Sequence, residues 1–234
     1  MTTLPIQLEL EYMLQQRRLM RELSFLTIAS LNRRQDSDEL LDFLNLSAPQ
    51  ILNEKLLRRR LRQIAQTLSS EKLIELSALL GRAVQPPMSN TLTKWIDEQV
   101  LAVQHTTEQW LLRAEEEIRR SRLAGLPLAE MTIALRTQAK VHAGIAENRA
   151  SAAILQLNSA LIQEIAQGAG SSHYRWTTEN DDRVRVNHVP LHFTVQKWTE
   201  PPSGGGTRPG DSGHPGSGYG CRCTATPIQG QPAI

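Results

Sequence analysis

Residues 150–185 read ASAAILQLNSALIQEIAQGAGSSHYRWTTENDDRVR, and the chain changes character within them. Ala150, Ile154, Leu157, Leu161 and Ile165 recur at steps of three and four, which aligns them on one face of a helix. The stripe stops at Gly168 and Gly170, residues that tolerate the left-handed turn closing many helices. Beyond them, Tyr174-Arg-Trp176-Thr-Thr178 has the aromatic and β-branched character of a short extended segment. A helical region, 1–168, is therefore expected to give way to a small module, 169–234. Most of the glycines, the densest proline run and both cysteines fall in the second part.

Working back toward the N-terminus, the pattern stays helical. Leu8, Tyr12, Leu19, Leu23 and Leu26 share one stripe. Asp36 and Ser37 offer an N-cap for a short helix carrying Leu40, Leu41 and Phe43. Ser47-Ala-Pro49 is expected to open the next helix, with Leu57, Leu61, Ile64 and Leu68 on its apolar face. Lys55, Arg58, Arg59 and Arg62 occupy much of its other side. Ser70, Glu71 and Lys72 read as the start of a further helix ending near Gly81. Ser89-Asn90 caps a long one with the seam Ile96, Val100, Val103 and Trp110, and Gly125-Leu-Pro127 ends it and starts another. The expected fold is mainly α: an elongated N-terminal helical bundle or array of six or so helices, then a small α+β C-terminal module. No fixed-period repeat is present.

Toward the C-terminus, His192-Phe-Thr-Val195 is a second extended segment, followed by Pro201-Pro202 and a glycine-rich loop. Fragments of roughly 60 residues rarely bury enough surface to fold alone. This one is expected to lean on the helix before it.

Bulk properties exclude several classes. The 234 residues carry a formal charge of +2 and 4% aromatics, which fits neither a polybasic nucleic-acid binder nor a base-stacking surface. No apolar run approaches the ~20 residues of a membrane span. The start, MTTLPIQLELEYM, lacks the basic and apolar regions of a secretory signal. Cys221 and Cys223 are too close for an unstrained disulfide and read as thiols kept in a reducing cytoplasm.

One ordered series of residues stands out between Tyr174 and Pro227. It runs Tyr174-x-Trp176-x-Thr178, Asp181-Asp182-Arg183-Val184-Arg185, His188-x-x-Leu191, Trp198, Pro201-Pro202, His214-Pro215-Gly216, Tyr219 and Cys221-Arg222-Cys223. This series resembles the C-terminal signature of the phage Mu F-like (head morphogenesis) minor head proteins. Glu147-Asn148-Arg149 and its small neighbours resemble the helix leading into that signature. The chain departs from the pattern in two places. His192-Phe193 stands where members often carry Asp-Gly, and the loop 203–213 is unusually rich in glycine.

The resemblance implies a low-copy virion protein in the capsid interior or at the portal vertex, present in the host cytoplasm during assembly. Implied partners are the portal protein, then the major capsid or scaffold protein, and packaged DNA bound non-specifically. Some members are thought to contact DNA or to leave with it. No membrane and no catalysis are implied.

The residues themselves admit three physical readings. In the first, Trp176, Asp181, Asp182, Arg183, Arg185, His188 and Arg222 form a structural network built on charge-assisted hydrogen bonds. In the second, His188, His214, Cys221 and Cys223, or Asp182 in place of one, supply the four ligands of a structural zinc. Cys-x-Cys is a less common spacing than Cys-x2-Cys, and buried hydrogen-bonded thiols explain it too. In the third, His188 and Asp182 act as an acid–base pair or a nuclease-like metal site, although structural ion-pair networks use the same residue types; the alternative function is then a zinc-dependent DNA-binding or nuclease- or toxin-like effector module carried in the virion. The P-loop, HExxH, deaminase and dinucleotide motifs are absent from the sequence.

Lys55, Arg58, Arg59 and Arg62 are candidates for DNA or portal contact, against the plainer reading of a solvated helix face. Trp95 and Trp110 read as core or interface. His105 and His142 carry no partner signal. The long seams also suit a homo-oligomer or several copies around a portal.

Overall fold

Asn53 ends one helix and begins the next. It lies at φ 37°, a left-handed conformation that asparagine adopts more readily than most residues. Its side-chain oxygen accepts the Leu56 N–H at 3.1 Å, and its carbonyl accepts the Leu57 N–H at 3.0 Å. One residue thus stops α2 (Ser37–Leu52) and caps α3 (Glu54–Leu80).

The computed structural model describes residues 2–31, 33 and 37–229. Besides α2 and α3 it contains α1 (Ile6–Leu31), α4 (Ser89–Leu123) and α5 (Leu128–Gly168). There follow β1 (His173–Thr177), a 3-10 helix (Val186–Leu191), β2 (Val195–Lys197) and β3 (Thr224–Ile228). Mainly α with a small α+β end is the architecture expected.

Several helix boundaries differ from expectation. Pro49 lies inside α2 instead of opening the next helix. It sits one turn from the helix end, so the backbone bond its missing N–H removes costs little continuity. Ser70 does not start a helix; α3 runs through it, and its hydroxyl donates to the Gln66 carbonyl one turn back, at 2.9 Å. The stripe from Ala150 is the second half of a single 41-residue helix, α5. Gly125, at φ 66°, closes α4 with the Leu126 N–H bonded to the Ser121 carbonyl at 2.9 Å. Asp36, offered as the cap of α2, lies outside the described residues.

The chain divides into two compact units. One comprises Glu11–Leu61 and Ile96–Ala150. Its core joins Met20 and Leu23 of α1, Leu40 and Leu44 of α2, Trp110, Ala114 and Ile118 of α4, and Leu135 of α5. Trp110 is fully buried and meets His142 edge-on, ring centres 5.8 Å apart. Burial and the nearby Arg113 and Arg149 hold the His142 imidazole below its ordinary pKa. Arg17 makes two parallel hydrogen bonds to the Glu147 carboxylate, at 2.5 and 2.7 Å.

The other unit comprises Met1–Leu10, Arg62–Trp95 and Ser151–Ile234. Within it a three-stranded antiparallel sheet has the order β2-β1-β3. On the central strand, Tyr174 and Trp176 point the same way and are fully buried, while Arg175 between them is exposed. Their core is completed by Trp198, Ala225, Cys221, Cys223, and Ile162 and Ala166 of α5. The short sheet finds on α5 the apolar surface it lacks. Trp95 donates its indole N–H to the Ala153 carbonyl at 3.1 Å, and Glu164 accepts from the Met88 N–H and the Thr91 hydroxyl at the start of α4. Lys72 is almost completely buried on α3, bonded to the Thr3 carbonyl at 2.7 Å and the Glu75 carboxylate at 2.5 Å.

Candidate functional site

The residues between β1 and β3 have little regular structure, and polar contacts set their course. After β1, Asn180 turns the chain at φ 56°. Asp181 then accepts the Arg183 backbone N–H at 3.1 Å and two bonds of 2.6 Å from one Arg222 nitrogen. That pairing, led by the Arg222 hydrogen bond, holds the Asp181 carboxyl below the usual range. Arg185 reaches the Tyr219 carbonyl at 2.5 Å. Both arginine contacts tie the strand that leaves β1 to the Cys-Arg-Cys segment entering β3.

These contacts use different atoms from those expected. The carboxylate's partner is Arg222, forty-one residues away, and Arg183 contributes its backbone while its side chain is exposed. Asp182 is also exposed and takes no part in these bonds. Trp176 belongs to the cluster through an edge-on contact with the His188 ring, centres 5.3 Å apart.

His188, on the 3-10 helix, is the pivot. Only 1% of it is exposed, and its Nε2 lies 2.9 Å from the Gly206 carbonyl. A carbonyl can only accept, so Nε2 carries a proton, and in the neutral ring Nδ1 then presents a lone pair. Nδ1 faces two sulfurs, Cys221 Sγ at 3.6 Å and Cys223 Sγ at 3.5 Å. The Gly216 N–H points at Cys221 Sγ from the other side, at 3.4 Å.

The two thiols act as one titrating pair. The contact with Cys223, then His188 and backbone N–H groups, favours the Cys221 thiolate over its burial, and the same contact holds the Cys223 thiol up. The hydrogen bond to Cys221 raises the His188 pKa, opposed by burial.

The glycine-rich loop exists because His188 and its neighbour Asn187 read its backbone. Asn187 donates to the Gly204 and Gly206 carbonyls at 2.6 and 3.2 Å. A Cβ on Gly205 would fall 2.1 Å from the Gly213 carbonyl oxygen, so the two arms of the loop close only without side chains. Gly216 is constrained twice over, by φ 79° and by Ser159 2.9 Å from where its Cβ would stand. Phe193, in contrast, holds a left-handed φ of 63°, at the place where the Mu F-like pattern often has Asp-Gly. Its N–H bonds the Trp176 carbonyl at 2.7 Å and its ring stacks on His192, contacts that set against the conformational cost.

Of the four zinc-ligand candidates, three come together. One ligand atom each of His188, Cys221 and Cys223 lies within 4.8 Å of the others, all buried, an arrangement that could hold a metal ion. His214 stands elsewhere, its Nδ1 2.9 Å from the Tyr174 hydroxyl and its ring against Tyr174 and Trp198. Burial lowers its pKa. On α3, Lys55, Arg59 and Arg62 are exposed, whereas Arg58 is engaged by Glu54 at 2.7 Å and Asp97 at 2.5 Å.

A family model described as Phage Mu protein F like protein matches residues 113–226. That segment belongs to the Mu F-like family. The Mu F-like segment takes in the end of α4, all of α5 and the module as far as β3, a longer stretch than the signature alone. The family is one of phage head morphogenesis. An uncharacterized protein of Haemophilus influenzae is 22% identical over 170 residues, covering 71% of this chain. The chain spans 35% of that relative's length. No solved structure matches. No described helix is long and apolar enough to cross a membrane.

Proposed function

We propose that the chain is a minor head protein of a tailed bacteriophage or prophage that acts at the portal vertex during head assembly. The observation that carries this reading is the Mu F-like match over residues 113–226. Its work is binding, with the portal protein as principal partner and the major capsid or scaffold protein as neighbours. Inside a filled head, the exposed Lys55, Arg59 and Arg62 on α3 meet DNA non-specifically and in a salt-dependent way. Several copies surround each portal. The buried His188, Cys221 and Cys223 serve structure in this reading and hold a zinc ion in place of the four-ligand set that includes His214.

Purified portal rings mixed with the full chain and sedimented through a gradient test the portal assignment. The chain is expected to travel with the rings at a fixed ratio. A chain that stays at the top, with rings intact below, contradicts the assignment.

A further inference from the structure

The zinc reading makes a sharper statement possible about the coordination itself. We propose that His188 Nδ1, Cys221 Sγ and Cys223 Sγ hold one zinc ion, with its fourth position facing a narrow cleft and taken by solvent or a small anion.

The distances carry the first half of this. For tetrahedral zinc, with Zn–S about 2.3 Å and Zn–N about 2.0–2.1 Å, the N···S edge of the tetrahedron is about 3.5–3.6 Å. The two N···S separations are 3.6 and 3.5 Å. Plain thiols account for this geometry less well. With Nε2 committed to the Gly206 carbonyl, the one Nδ1 lone pair of the neutral ring faces both sulfurs at equal range, and a single S–H donor would engage only one of them. One cation between the three atoms uses that lone pair and both sulfurs together.

The surroundings fit a ligand set. A histidine ligand that donates its other N–H to a carbonyl is the usual outer arrangement of a zinc site, fixing tautomer and ring orientation. The Gly216 N–H is aimed at Cys221 sulfur. The Trp176 ring packs edge-on against the His188 ring, centres 5.3 Å apart, and helps hold that ring in place.

The second half rests on what is missing from the set. Among the described residues no fourth His, Cys, Asp or Glu lies within reach of the three. Beside them opens a cleft of about 10 Å³, lined by the three ligands and by Arg183, Arg185 and Arg222. Glu179 also lines it but is not one of the clustered ligands. Such a volume holds about one water-sized ligand. Zinc with two thiolates and one neutral imidazole carries no net charge, so the arginines at the cleft favour an anionic fourth ligand.

The test uses the full chain, purified without chelator. About one zinc per chain is expected by elemental analysis. Exchange for cobalt(II) should give the intense visible bands of a tetrahedral ion and sulfur-to-cobalt charge transfer, and added azide should shift those bands. His214→Ala should keep its zinc, whereas His188→Ala and Cys223→Ser should lose it at least tenfold. Should those two variants misfold, the cobalt spectrum of the unaltered chain still decides. A metal-free chain overturns the zinc reading altogether. One zinc with a cobalt spectrum indifferent to azide, or zinc lost in His214→Ala, overturns only the open position. None of these outcomes depends on where the protein sits in a particle.

Discussion

Trp176→Ala is expected to cost the C-terminal module about 3–5 kcal/mol, the range for truncating a buried large aromatic side chain. Trp176 is completely buried in the middle strand of a three-stranded sheet. Its neighbours in the core are Tyr174, Trp198, Ala225 and the two cysteines, with Ile162 and Ala166 of α5 behind them. Leu191, partly buried, is packed against the same core. The His188 ring, which meets Trp176 edge-on, loses its support in the same step. Urea denaturation followed by circular dichroism, with hydrogen exchange at β1 and β3 amides, measures the effect. A loss below about 1 kcal/mol, as for an ordinary surface change, would show that the sheet does not depend on this core.

Glu75→Ala is expected to cost about 3–5 kcal/mol through a different mechanism, the stranding of a buried charge. The Lys72 ammonium is 2% exposed and has the Glu75 carboxylate at 2.5 Å and the Thr3 carbonyl at 2.7 Å. Glu75 also accepts the Thr3 N–H at 2.6 Å, so its loss frees the N-terminal segment as well. Adding Lys72→Met to Glu75→Ala should recover much of the loss, because an apolar side chain of similar length fills the space without a charge. Urea midpoints of the two variants settle the point. A double variant no more stable than Glu75→Ala would mean that the cost lies in the Thr3 contacts and not in the ammonium.

What could be read from sequence followed a clear division. Features written in local spacing were legible: the stripe from Ala150 to Ile165, the Gly125 cap and the extended segment at Tyr174–Thr178. Helix boundaries failed where two signals compete. Pro49 and Ser70 resemble helix starts, but Pro49 is close to a helix end and Ser70 can bond back to Gln66, so neither breaks the backbone. The real break, Asn53, shows no more than a single asparagine between Leu52 and Glu54, and only its positive φ marks it.

The site divided in the same way. The residue types were legible; their partners were not. His188, Cys221 and Cys223 converge because the Cys-Arg-Cys segment enters β3 beside the loop after β1, a matter of strand order. His214 shares its chemistry with them but is held by Tyr174. The pairing of Asp181 with Arg222 and the contact of His142 with Trp110 span 41 and 32 positions, beyond any periodicity. The glycine-rich loop, a departure from the family pattern, acquires its reason only when Gly205 and Gly213 are seen backbone to backbone.

A minor head protein is built into the particle, so its presence in purified particles is the decisive observation. Quantitative mass spectrometry of purified virions and empty proheads from the source phage or an induced prophage should find a few to a few tens of copies in both. Absence from both kinds of particle would contradict the claim and leave the Mu F-like segment as a shared fold without a shared role.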